Sequence, residues 1–129
     1  MGEPPQEVIY QAPDARFRVS ASKETGALFA TATHEHGQVY GATTGLDLAV
    51  NDARRYSQMM DSKGDSEARV GNLGLGGVAK TEGSLVAKLT GGGMGIWWQR
   101  GAEDRMVCGP YGREEAERML NAIIAAAGR

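Results

Sequence analysis

The stretch Gly74-Leu75-Gly76-Gly77-Val78-Ala79-Lys80-Thr81 comes closest to a known chemical motif. A phosphate loop needs G-x-x-x-x-G-K-[ST], so that backbone N–H groups cradle phosphate and a lysine reaches its oxygens. Gly74, Lys80 and Thr81 keep the spacing, but Ala79 stands where the second glycine should let the backbone approach the anion. No continuous apolar strand precedes the stretch, and Gly83 weakens a following helix. Gly74, Gly76, Gly77, Lys80 and Thr81 therefore support a nucleotide or small-molecule site only as a second alternative. The segment reads first as a flexible connector.

The other reactive side chains are scattered. His34 and His36 are the only histidines and flank Glu35 in a polar turn. Two imidazoles do not make a metal site, and no Cys or Asp clusters beside them, so no metal is expected. Cys108 is the single cysteine, which excludes an internal disulfide and suits a reducing compartment. A nucleophilic role needs a histidine base, which nothing in the sequence brings near it, so it reads as a buried strand cysteine. Glu114, Glu115 and Glu117 open a helical pattern, where negative charge meets the positive end of the helix dipole. Arg54 and Arg55 read as a solvated edge, or as a basic spot with Lys63 and Arg69. No catalytic constellation emerges, and no cofactor is expected.

The aromatic residues say more. Side chains alternate between the two faces of a strand, so the adjacent Trp97 and Trp98 cannot share one core. With Ile96 and Trp98 turned inward, Trp97 faces out. With Leu28 and Ala30 turned inward, Phe29 faces out too. Arg16 and Arg18 are expected beside Phe29, Lys88 near Trp97, and Tyr40 as a further member of the same face. An exposed indole favours a covering partner. Trp, Tyr and Arg anchor protein interfaces, and aromatics among cations also stack bases and pair phosphates.

These residues need strands and helices to hold them. Residues 16–22, 27–33 and 38–43 alternate with period two and are linked by short turns, which predicts an antiparallel meander. The period then becomes helical through Leu46, Ala49, Val50, Ala53 and Met60, with Thr44 as the expected N-cap and a stop at Lys63-Gly64. Residues 62–82 are Gly-rich and hard to read, with only a short strand over Glu67–Leu73. Strands over 84–90, 94–100 and 105–109 follow, and then a helix with the stripe Ala116, Met119, Leu120, Ile123 and Ile124. The expected fold is α+β: antiparallel sheet or sheets from two pseudo-repeated βββα units, with the helices packed on one face. Its parts would be an extended arm over 1–14 and one domain over 15–129. That domain divides into a first half (15–61), the connector (62–82) and a second half (83–129).

Size and charge agree with one globular domain: 129 residues, 41% hydrophobic, 23% charged and a formal net charge of -2. The near balance of charge gives no overall field that would draw in nucleic acid or anionic membrane. The first residues lack the pattern of a secretory signal, and the longest apolar run, Ala122–Ala127, is far too short to span a bilayer. A cytoplasmic protein with no membrane partner is expected. The leading expectation is a small non-enzymatic binding or regulatory protein, of the inhibitor type carried by phages and mobile elements. It would dock on a protein partner or on itself as a homo-oligomer through Trp97, Phe29, Tyr40, Arg16, Arg18 and Lys88. The first alternative is single-stranded DNA or RNA on the same face.

Overall fold

The computed structural model describes residues 7–22, 24–64, 66–77 and 83–128. The chain runs β1 (Glu7–Gln11), β2 (Phe17–Ser22), β3 (Ala27–Thr33), β4 (Val39–Gly45), α1 (Leu46–Lys63), β5 (Arg69–Gly77), β6 (Ser84–Thr90), β7 (Gly93–Arg100), β8 (Glu103–Gly112) and α2 (Arg113–Gly128). All eight strands form one antiparallel sheet in chain order. The fold is α+β, as expected, but four strands precede each helix instead of three. The first extra strand is β1, built around the Val8-Ile9-Tyr10 run. The second is β5, which occupies the segment read as a connector.

The short strand expected over Glu67–Leu73 thus runs on to Gly77, and its length was hidden for a physical reason. Its glycines hide the alternation, and its register shifts twice, between Arg69 and Gly71 and between Gly74 and Gly76. A bulge inserts an unpaired residue, so a strict period of two is lost while the ladder continues. Leu73 and Leu75 are still fully buried.

Both helices lie against the inner face of the sheet. Leu46, Ala49, Val50, Ala53 and Met60 of α1 are buried. So are Ala116, Met119, Leu120 and Ile123 of α2, in one core with Phe17, Val19, Leu28, Leu85, Leu89 and Ile96. Helix α1 ends at Lys63 with Gly64 at φ 61, a left-handed stop. Its start differs from expectation. Gly45, the last residue of β4, is the N-cap, one residue later than expected, and as a glycine it has no side chain to cap with. No helix among the described residues is long and apolar enough to cross a membrane.

The sheet also curls. Tyr40 of β4 and Trp98 of β7 have ring centroids 5.0 Å apart, although β5 and β6 lie between their strands. In a flat sheet three strand spacings would separate them by about 14 Å. The curl carries β8 round to the β2–β3 end. There the Cys108 thiol donates to the Thr33 carbonyl (3.4 Å), and Arg16 Nη2 donates to the Val107 carbonyl (3.3 Å). Tyr10 of β1 donates to Glu115 of α2 at 2.9 Å, which ties the first strand to the last helix.

Candidate functional site

The face of the sheet opposite the helices carries the candidate site. Directly opposed residues on neighbouring strands share a face. One line of such pairs crosses the whole region: Ser20, Phe29, Thr43, Gly77, Ser84, Gln99 and Asp104, from β2 to β8. Phe29 and Gln99 therefore lie on one face. Trp97, two residues from Gln99 on the same strand, lies there too. Both rings are half-buried, whereas Trp98 points into the core at 8% exposure. The two rings are four strand spacings apart, about 19 Å along a flat sheet.

Around Trp97 the strands set the geometry. Its register partners are Val86 and Met106, and Lys88 is paired with Gly95. A Cβ on Gly95 would sit 3.0 Å from both Trp97 Nε1 and Met106 Sδ, so the indole lies back over the glycine. Glycine in a strand interior often marks such a close approach. The Lys88 ammonium sits 3.9 Å from the Trp97 ring centroid and also pairs with Asp104 Oδ2 at 2.7 Å. Gln99 Nε2 donates to the other Asp104 oxygen at 3.3 Å. The hydrogen bond from Lys88 holds the Asp104 carboxyl below the usual carboxylate range. An open cleft of about 580 Å³ runs along this region, lined by Lys88, Thr90, Gly93, Gly95, Trp97 and Met106 among others. Arg69 and Asn72 of β5 adjoin Lys88 on the neighbouring strand.

A second depression surrounds Phe29, with Thr31, Gly41, Thr43 and Gly77 on its floor. Arg18, opposite Thr31 on β2, is exposed beside it.

Two residues expected on this face are elsewhere. Tyr40 pairs with Ala32 on the inner side and is buried at 6% exposure, its ring against Trp98 and its hydroxyl bonded by Arg105. The strand begins at Val39, so the alternation puts Val39, Gly41 and Thr43 outward and Tyr40 inward. Arg16 precedes β2, and its guanidinium donates to the Thr33 and Val107 carbonyls (3.0 and 3.3 Å). It joins the two ends of the curled sheet and does not flank Phe29.

The glycines of the phosphate-loop reading have another task. Gly74, Gly76 and Gly77 of β5 are laddered to Val86, Leu85 and Ser84 of β6. At Gly76, with φ +113, a Cβ would meet the Thr43 carbonyl oxygen at 2.2 Å, so this glycine lets β4 and β5 touch. The next described element is strand β6, not the helix a phosphate loop requires. Lys80 and Thr81 lie outside the described residues.

Cys108 is closer to the histidine turn than sequence distance suggests, since Thr33 adjoins His34. The thiol nonetheless donates to the Thr33 and Arg16 carbonyls, and burial raises its pKa. A thiol held protonated this way is a packing group. Burial likewise raises the Tyr111 hydroxyl, which donates to Asp14 at 3.0 Å.

Met106, Gly95, Asp104 and Gln99 belong to the site and were not singled out from sequence. Gly95 did carry a signal, as a lone glycine between apolar residues facing the core. Asp104 falls just outside the strand expected over 105–109, but β8 already begins at Glu103 after the two-residue turn Gly101–Ala102. No family model, curated protein or solved structure matches the chain.

Proposed function

We propose that this chain is a non-enzymatic binding protein whose outer sheet face holds single-stranded nucleic acid. Bases would stack at Trp97 and Phe29, and phosphates would pair with Lys88, Arg69 and Arg18. The observation that carries the reading is the Trp97 indole lying flat on the outer face with a lysine ammonium across it. A phosphate competes with Asp104 for that ammonium, and drawing Lys88 aside opens the indole to a base. Stacking on aromatics needs no sequence readout, because every base has a π-face.

The rest of the face favours a nucleic acid over a protein. Many of its outward positions are small or hydroxylic, among them Ser20, Thr31, Gly41, Thr43, Gly77, Ser84 and Gly95, with Val39, Val86 and Met106 as the apolar exceptions. A protein interface is centred on large apolar anchors in a well-packed patch. Among the described residues the exposed large hydrophobics are Val8, Val39, Leu48 and Met106, and only Met106 adjoins Trp97. Phe29 and Trp97 both sit on the third strand of a four-strand set, so each half offers one outward ring.

A titration of the intact protein with oligothymidylate and oligouridylate tests this. Tryptophan fluorescence should be quenched saturably, and affinity should fall with salt as counterions are released. No saturable quenching, together with a dimeric mass that Trp97→Ala reduces to a monomer, would assign the face to self-association and overturn the proposal.

A further inference from the structure

The β3–β4 turn holds a cluster that the nucleic-acid reading does not use. His34, Glu35 and His36 each offer a donor atom, and these three atoms lie within 4.8 Å of one another. Sequence reading counted only two imidazoles. The turn adds the carboxylate, because it brings a residue that alternation would send to the opposite side round to join them.

We infer that this turn binds a divalent transition-metal ion of the zinc type, through two imidazoles and one carboxylate. Its backbone is already set. The His34 N–H donates to the Gln38 carbonyl and the Gly37 N–H to the His34 carbonyl, both at 2.8 Å, with Gly37 at φ 91. The imidazoles are stacked with centroids 4.7 Å apart. His36 Nε2 lies 3.9 Å from Glu35 Oε1. Ligands of one tetrahedral zinc stand about 3.4 Å apart, given bonds of about 2.0–2.2 Å. This pair needs to close by only about 0.5 Å, and both side chains are largely exposed and free to turn.

The hydrogen bonding also selects the coordinating nitrogen. His34 Nδ1 accepts the His36 N–H at 3.2 Å. A neutral imidazole that accepts there carries its proton on Nε2, so the lone pair that a metal can take over is the one on Nδ1. Metal binding therefore exchanges one long, exposed hydrogen bond for a metal–nitrogen bond, and the amide turns to water. Imidazole and carboxylate donors suit zinc and its neighbours better than magnesium or calcium, which prefer all-oxygen sites. Three protein ligands leave a coordination position for water.

The experiment is calorimetric titration of the full chain with zinc chloride, and with magnesium chloride for comparison, followed by nitrogen-15 spectra of the histidines. Saturable one-to-one zinc binding is expected, with the His34 Nδ1 resonance moving most and no response to magnesium. His34→Ala and His36→Ala should each weaken binding by at least about tenfold, the loss that even outer-shell changes cause. Glu35→Gln should weaken it as well. All three side chains project from a surface turn, so circular dichroism should be unchanged. No saturable zinc binding, or unchanged affinity in the double variant His34→Ala/His36→Ala, overturns the inference. This outcome is independent of whether the sheet face binds nucleic acid.

Discussion

Replacing Gly76 by alanine should open the seam between the two halves of the sheet. Among the described residues, strands β4 and β5 share a single register pair, Thr43 with Gly77, whereas the other strand pairs have four or more. A Cβ at Gly76 would lie 2.2 Å from the Thr43 oxygen and 2.3 Å from its carbonyl carbon. Those are backbone atoms, so no side-chain rotation relieves the clash. The positive φ adds about 1–3 kcal/mol for any residue with a Cβ, and overpacking adds about 1–3 kcal/mol. The expected loss is about 2–6 kcal/mol, a large share of the ~5–15 kcal/mol that holds a typical domain together. In melting temperature it is a fall of roughly 8–24 °C for a chain of this size.

Gly74, two residues away on the same strand, is the control. A Cβ there meets nothing within 4 Å, so Gly74→Ala should be neutral or stabilise by about 0.5 kcal/mol, through lower entropy of the unfolded chain. Urea unfolding followed by tryptophan fluorescence gives both values. Equal midpoints for the two variants would refute the seam argument, as would a loss below about 1 kcal/mol at Gly76.

Other changes read the two faces separately. Trp98→Ala should cost about 3–5 kcal/mol in urea unfolding, since the ring is a buried core group against Tyr40. Trp97→Ala should leave the midpoint much less changed, yet lower oligothymidylate affinity by roughly 5- to 150-fold, the equivalent of one lost stacking contact; the reverse pattern would mean the faces are misassigned. Asp104→Asn should raise oligonucleotide affinity at low salt by freeing Lys88, with the gain fading as salt is added; a loss of affinity contradicts the exchange of Asp104 for phosphate. Because Lys88 keeps the Asp104 carboxyl below its usual range, the pair should persist as pH falls through ordinary carboxylate titration and loosen only in stronger acid. Cys108 should resist thiol reagents in the native protein at neutral pH and react fully in denaturant, because burial raises its pKa; fast native labelling would contradict that placement.

Much of this architecture is legible from local patterns. Ala27–Thr33 and Ser84–Thr90 form strands over the residues their alternation marks, and α1 stops where a cation meets a glycine. Trp97 and Trp98 part to opposite faces because a strand allows nothing else. Two kinds of information were hidden. Strand β5 is broken by two bulges, which erase the period that would reveal it. Tyr40 departs from expectation by one step of parity, and Arg16 by lying just outside a strand, where alternation ceases to apply.

Local spacing on its own determined most of the strands, the helix stripes and the outward direction of Phe29 and Trp97, because side-chain alternation and helical periodicity act over a few residues. Only the tertiary structure decided that all eight strands join in one sheet, that Gly76 lets the two halves meet, and that the sheet curls until Tyr40 touches Trp98 and Cys108 reaches Thr33. Those contacts span tens of residues. They depend on strand twist and on backbone approach at single glycines, neither of which leaves a periodic trace in the chain.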